Sequence, residues 1–270
     1  MIRRPDSLAE AASAVSSRWS AARCLIAGAV AAAMLMPIAS PGPAWAQQAG
    51  AGQVETPQAE AVKADVGPLL DALAMDDLMP ILRAEGMSYA QDLAADMFPG
   101  RGGARWEASL AAIYDAGRME RLMAEEMAAR MPGEHLPALM EFFSSDLGQR
   151  IVLLEITARE ALLEDSVDEA SRAALEEMRA SEAPRLSLLE AFVTANDLVE
   201  MNVVGGLNSN YAFYLGLSAG GAFNGVMTEE EMLADVWSQE DDIRSETLDW
   251  VYSYLALAYQ PLEDEELEAY

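Results

Sequence analysis

Along residues 136–163 the apolar side chains recur at three- and four-residue steps, lose phase once, and resume. Leu136, Leu139, Met140 and Phe143 fall on one helical face, and Leu147, Ile151, Leu154, Ala158 and Leu162 on another. Between the two runs Ser145 is placed to cap the second helix, its hydroxyl accepting from a backbone N–H left free at the helix start, with Asp146 adding negative charge at the positive end. Gly148, in the first turn, lets another backbone come close. The pattern predicts an antiparallel αα-hairpin with both apolar faces turned inward.

The same 3.6-residue period runs through most of the chain. From Asp65, Leu69, Leu70, Leu73 and Leu78 predict a helix interrupted at Pro80, and Met79, Ile81 and Leu82 carry its face to a stop at Gly86. A short helix over Ser88–Met97 follows, then a loop containing Gly-Arg-Gly-Gly at 100–103. That loop lacks the spacing and the Lys of a phosphate cradle. Trp106, Leu110, Ile113, Gly117, Leu122, Met123 and Met127 predict one long helix ending at Pro132-Gly133. After the hairpin come a charged amphipathic helix over Val167–Ala180 and another opened by Pro184, carrying Leu186, Leu189, Phe192 and Val193. Thr228 and Glu231 form a capping box for a helix whose apolar positions, from Met232 to Leu255, reach Ala258. The expected fold is all-α, an antiparallel bundle of about eight helices in one domain, 65–270.

Met201–Thr228 breaks the pattern, with 28 consecutive residues and no charge. Asn202, Asn208, Asn210 and Asn224 make it too polar to span a bilayer. Ala212, Gly216 and Gly220 form a small-residue stripe at four-residue steps. Because each Gly costs about 1 kcal/mol against Ala in a helix, tertiary packing has to compensate. One expectation is the buried central helix of the bundle. The other is a helix whose Met201, Ala212, Gly216, Gly220 and Met227 line an apolar pocket or a self-association face.

Trp106 to Leu136 and Trp237 to Leu267 span equal lengths, each bracketing a helical stretch followed by a Pro-containing break. This suggests a degenerate two-fold internal repeat, a first copy over about 65–165 and a second over about 186–270. In that reading the last nine residues, after Pro261, are the opening of a second hairpin cut before its turn, leaving apolar surface without a partner, as in a fragment of a longer chain.

The hairpin carries a resemblance. Leu139, Phe142, Phe143, Ser145, Gly148 and Gln149 fit L-x-x-F-[FY]-x-S-x-x-G-[QK], and residues 136–163 resemble the bacterial domain of unknown function 2059 family. The family often has Pro after the capping Ser, where this chain has Asp146, a change compatible with a helix start. The resemblance implies an exported, all-helical, envelope-associated protein, and it implies no catalytic residue.

Composition adds an address. Arg3, Arg4, Arg18 and Arg23 precede an apolar run of 14 residues, Leu25–Ile38, and Ala44-Trp45-Ala46 offers a cleavage site before Gln47. Residues 1–46 therefore read as a secretory signal peptide, with an uncleaved anchor as the alternative; cleavage after Ala46 leaves no transmembrane span and places the protein in the periplasm. Cys24, the only cysteine, leaves with the leader, and with it any disulfide, thiol nucleophile or cysteine metal ligand. Residues 47–64 read as a flexible linker. The whole chain carries a formal charge of −28; without the leader, 13 basic residues face 43 acidic ones, a charge of −30. Such a surface repels nucleic acid.

Little catalytic chemistry can be assembled. His135 is the only histidine and has no placed partner for a metal site or a triad. The acid pairs Asp76-Asp77, Glu125-Glu126, Glu240-Asp241-Asp242 and Glu263–Glu266 read as solvated helix faces. Thirteen methionines remain beyond residue 46, at core-like spacing, with an adaptable groove as the alternative. No cofactor is expected. The leading functional expectation is a periplasmic, non-enzymatic binding protein that meets an envelope protein or its own copy. A carrier of a small apolar ligand or lipid, held near Met201–Met227, is the second, and an acid-pair hydrolase a remote third.

Overall fold

A computed structural model describes residues 65–97, 103–223 and 227–270. The expected leader, linker and Gly-rich loop lie wholly or mostly outside these. The described residues form twelve helices: α1 (Gly67–Ala72), α2 (Met75–Met97), α3 (Ala104–Ile113), α4 (Ala116–Arg130), α5 (Leu136–Phe143), α6 (Asp146–Ala161), α7 (Asp165–Ala180), α8 (Pro184–Ala195), α9 (Leu198–Ala219), α10 (Glu229–Trp237), α11 (Glu240–Ala258) and α12 (Asp264–Ala269). The fold is an all-α bundle, with no strand among the described residues. Its helices are more numerous than the pattern predicted and most are shorter, and each discrepancy has a structural counterpart.

The first interruption falls at Leu73–Ala74, where Ala74 turns left-handed (φ 49°), and not at Pro80, which lies inside α2 on its exposed side. α2 then runs through Gly86 without stopping. That glycine is a packing site: a Cβ there would lie 2.7 Å from Cζ of Tyr114. The expected helix from Trp106 to Met131 divides at Tyr114–Asp115, because Asp115 caps a new helix by accepting from the N–H of Arg118 at 2.8 Å. The stretch opened by Thr228 has the expected capping box but divides at Ser238–Gln239. There the buried Gln239 side chain turns back, donating to the Asp235 carbonyl at 3.2 Å and accepting from Asn210 at 3.0 Å.

Three apolar clusters hold the helices together. One joins α6, α8, α11 and the C-terminal segment through Ile151, Leu189, Val251, Leu255 and Tyr259. A second joins α1, α2, α4, α5 and α6 through Leu69, Leu73, Met79, Met127, Phe143 and Val152. A third joins α9, α10 and the start of α11 through Val203, Leu207, Tyr214, Met232 and Ile243. α6 serves two clusters, giving Ile151 to one and its neighbour Val152 to the other. At roughly 1.5–3 kcal/mol for each fully buried aliphatic side chain, this double burial makes α6 a principal support of the fold.

The central helix is α11, packed against α6, α7, α8 and α9. The expectation that Met201–Thr228 holds that place is corrected below. The repeat is not present in the element boundaries either. Trp106 sits in the first turn of α3, whereas Trp237 is the last residue of α10; the α3–α4 break at Tyr114–Asp115 has Ser245–Glu246 as its counterpart, inside α11. Nor does the C-terminal segment lack partners. Leu262 and Leu267 are buried in the first cluster, and the Tyr270 ring stacks on Phe142 at 5.5 Å, touching the first and second clusters.

Candidate functional site

The α5–α6 turn is a knot of helix ends. Ser145 Oγ accepts from the N–H of Gly148 at 3.1 Å and donates to the Phe142 carbonyl at 2.6 Å, serving the start of one helix and the end of the other. The Gln149 amide donates to the Phe143 carbonyl at 2.6 Å and to the Ala72 carbonyl at 2.7 Å, which ties in the end of α1. Carbonyls at a helix C-terminus have no intrahelical partner, so one side chain satisfies two of them. Gly148 is required by the crossing of backbones: a Cβ would lie 2.8 Å from Cα of Phe143 and closer still to the Phe142 carbonyl oxygen. Phe142 and Phe143 meet edge to face at 5.1 Å. Five of the six motif residues, all but Leu139, thus come together at the turn, where their bonds join the ends of three helices.

Below the turn, α6 carries a polar group into the core. Glu155, 2% exposed, accepts from the hydroxyls of Tyr259 at 2.7 Å and Tyr270 at 3.2 Å, while the Tyr254 hydroxyl donates to its backbone carbonyl at 3.1 Å. Burial raises its pKa to about 7 against the pull of the two phenols, and the same burial lifts all three tyrosines above their usual range. One turn on, Arg159 pairs with Glu85 of α2 through two bonds of 2.8 and 2.7 Å and lies over the Trp250 ring at 5.7 Å. This is the only group of buried ionised or ionisable side chains on α6, and the periodicity shows where it comes from. Glu155 and Arg159 stand four residues apart on the face of Ile151, Ala158 and Leu162, so two charged types on an apolar stripe were the available signal. Glu155 is thus sealed in the core, and Glu85, the acid of the neighbouring pair, is held by Arg159.

The acid pairs singled out by sequence lie on exposed helix faces, with only Glu240 and Glu266 half-buried. Glu246, half-buried on α11, has a pKa raised to about 7 by burial and by Asp242 one turn away, with Arg172 opposing. His135 occupies the N-cap position of α5 without a side-chain capping bond. No group of three His, Cys, Asp or Glu residues able to hold a metal occurs among the described residues. No helix among them is long and apolar enough to cross a membrane.

The remaining feature is α9. Its inner face buries Leu198, Asn202, Val203, Gly206, Leu207, Asn210 and Tyr214. Tyr214 donates to Asp235 and Tyr211 to Glu229 at 2.8 Å, which latches α10 onto this face. The opposite face stands in solvent. Met201, Val204, Asn208, Ala212, Leu215 and Ala219 follow one another at steps of three or four and are all exposed, Met201 by 41%, Val204 by 51% and Leu215 by 44%. Gly216 and Gly220 border this face; a Cβ on Gly216 would meet nothing within 4 Å. The expectation of a central, buried helix is therefore corrected to a one-sided helix, and the expectation of an enclosed pocket to an open face. Met227 is not part of it; its half-buried side chain packs into the third cluster. The reason is that α9 beyond Glu200 in its first turn is uncharged on both sides, so periodicity alone does not tell the core side from the outer one.

Compared with protein-family models, curated proteins and solved structures, the chain matches none.

Proposed function

We propose that this protein is exported to the periplasm and works there, without catalysis, as an interaction protein that docks an uncharged partner surface on the outer face of α9. One observation carries the reading: in a chain of charge −28, an exposed stripe of six positions, about 27 Å long, bears no charge and three large apolar side chains. Exposed apolar surface of this extent on an acidic protein marks a binding face. The basic leader, its apolar run and the Ala44-Trp45-Ala46 site support export, as does the resemblance of 136–163 to exported envelope proteins. The carrier reading draws no such support, since the small residues meant to surround a ligand open outward. The hydrolase reading draws none either, since the acid pairs lie on exposed helix faces.

The test is photo-crosslinking in cells from a benzophenone amino acid at position 208. A crosslinked product is expected, and it disappears in the V204D/L215D variant while helicity and the urea midpoint stay unchanged. Absence of any product from position 208 overturns the docking reading. Sequencing the mature N-terminus checks the address: Gln47 is expected, and a retained leader overturns periplasmic release.

A further inference from the structure

Resting on that reading of α9, we infer that the partner is a second copy of this chain, docked antiparallel along α9 about a two-fold axis passing beside Asn208. Charge narrows the choice of occupant. A basic partner is recognised by carboxylates, of which this chain has 45, and not by the stretch that has none. Two copies that repel each other elsewhere can approach where neither presents a charge.

The spacing of the stripe is self-complementary, as a two-fold interface requires. Positions equidistant from Asn208 fall opposite one another in an antiparallel pair. Met201 then meets Leu215 of the second copy, bulk against bulk at both ends. Val204 meets Ala212, where the smaller pair lets the helices approach. Asn208 meets itself, and one amide can donate to the other's carbonyl, a polar contact that fixes register.

The flanking charges select the direction. Glu200 and Asp197 lie at the N-terminal end of α9, and Glu200 is bonded to Arg244. In the antiparallel pair Glu200 falls opposite Gly216, whose outer side is open, and Asp197 opposite Ala219. In a parallel pair each of these acids would face its own copy. The open glycine leaves room for the Glu200–Arg244 pair of the neighbour.

Cysteine crosslinking combined with sedimentation of the protein from Gln47 onward, which carries no cysteine of its own, tests this. The protein is expected to sediment as a dimer, with Leu215→Glu weakening association by roughly 100-fold, because an unpaired charge is then buried at the contact. Asn208→Cys links two copies by itself. Met201→Cys and Leu215→Cys each fail to link alone, since like positions lie about 21 Å apart, but link when mixed. A dimer in which Met201→Cys alone links to itself is parallel and overturns the inference, as does a monomer at every concentration. A monomer whose position 208 still crosslinks to a different protein leaves the α9 docking face standing and removes self-association; a monomer with no crosslink removes both.

Discussion

Replacing Glu155 with Gln should change how stability depends on pH far more than how stable the protein is in acid. In the fold this carboxyl keeps its proton to about pH 7; in the unfolded chain it follows the ordinary value of 4.5. Folding therefore takes up a proton between those values. The unfolded state binds fewer protons there, so the free energy of unfolding falls as pH rises through the window and is undiminished below it. Each pH unit costs about 1.4 kcal/mol, which gives a loss of roughly 3 kcal/mol by neutrality. Glutamine keeps a carbonyl oxygen to accept from Tyr259 and Tyr270 but has no proton to lose. Glu246 titrates in the same range in both proteins and cancels in the difference. The assay is urea denaturation followed by circular dichroism at about pH 5 and about pH 8. The variant should lie within about 1 kcal/mol of the natural protein in acid and gain on it by roughly 2–3 kcal/mol at the higher pH. A difference between the two proteins that stays flat with pH to within about 0.5 kcal/mol would refute the reasoning.

Three other substitutions probe the hairpin and α9. Gly148→Ala drives a methyl into the backbone of Phe142 and Phe143 and should cost about 3 kcal/mol or more in urea denaturation; a loss below about 1 kcal/mol would show that the crossing can open freely. Gln149→Ala leaves the Ala72 and Phe143 carbonyls without this donor and should cost about 1–3 kcal/mol, with faster amide exchange at the end of α1; unchanged exchange there would sever the tie drawn between α1 and α6. Gly216→Ala, on an open helix surface, should stabilise the monomer by up to about 1 kcal/mol in thermal unfolding at low protein concentration, and a destabilised monomer would mean that the stripe packs internally after all.

The hairpin was legible because its signals are local. Ser145 caps within three residues, Gly148 lies at the crossing itself, five residues from Phe143, and the apolar steps on either side do not depend on any distant segment. The same locality explains Pro184 and the Thr228–Glu231 box. Helix divisions at Asp115 and Gln239 were missed for opposite reasons. Asp115 is an ordinary capping residue hidden in an apolar period that continues across it. Gln239, just beyond the end of α10, is held in the core by Asn210, 29 residues away, a partner that no local pattern reveals. The polar core was half legible: Glu155 and Arg159 stand on an apolar face in plain view, but their partners Glu85, Tyr259 and Tyr270 lie 70 or more residues off.

What the chain determines by itself is its class, its punctuation and its charge, since a 3.6-residue period, a capping side chain and a count of carboxylates are complete within one turn or one sum. What only the tertiary structure decides is sidedness. From Met201 onward α9 is uncharged around its whole circumference, so no pattern along that stretch distinguishes the face that buries Val203, Leu207 and Tyr214 from the face that exposes Met201, Val204 and Leu215. That choice is made by α10 and α11, which supply Asp235, Gln239 and Ile243 to one side of the helix and leave the other to solvent. The physical reason is that burial is a property of neighbours, and a helix with two acceptable faces takes its direction from the elements that arrive against it.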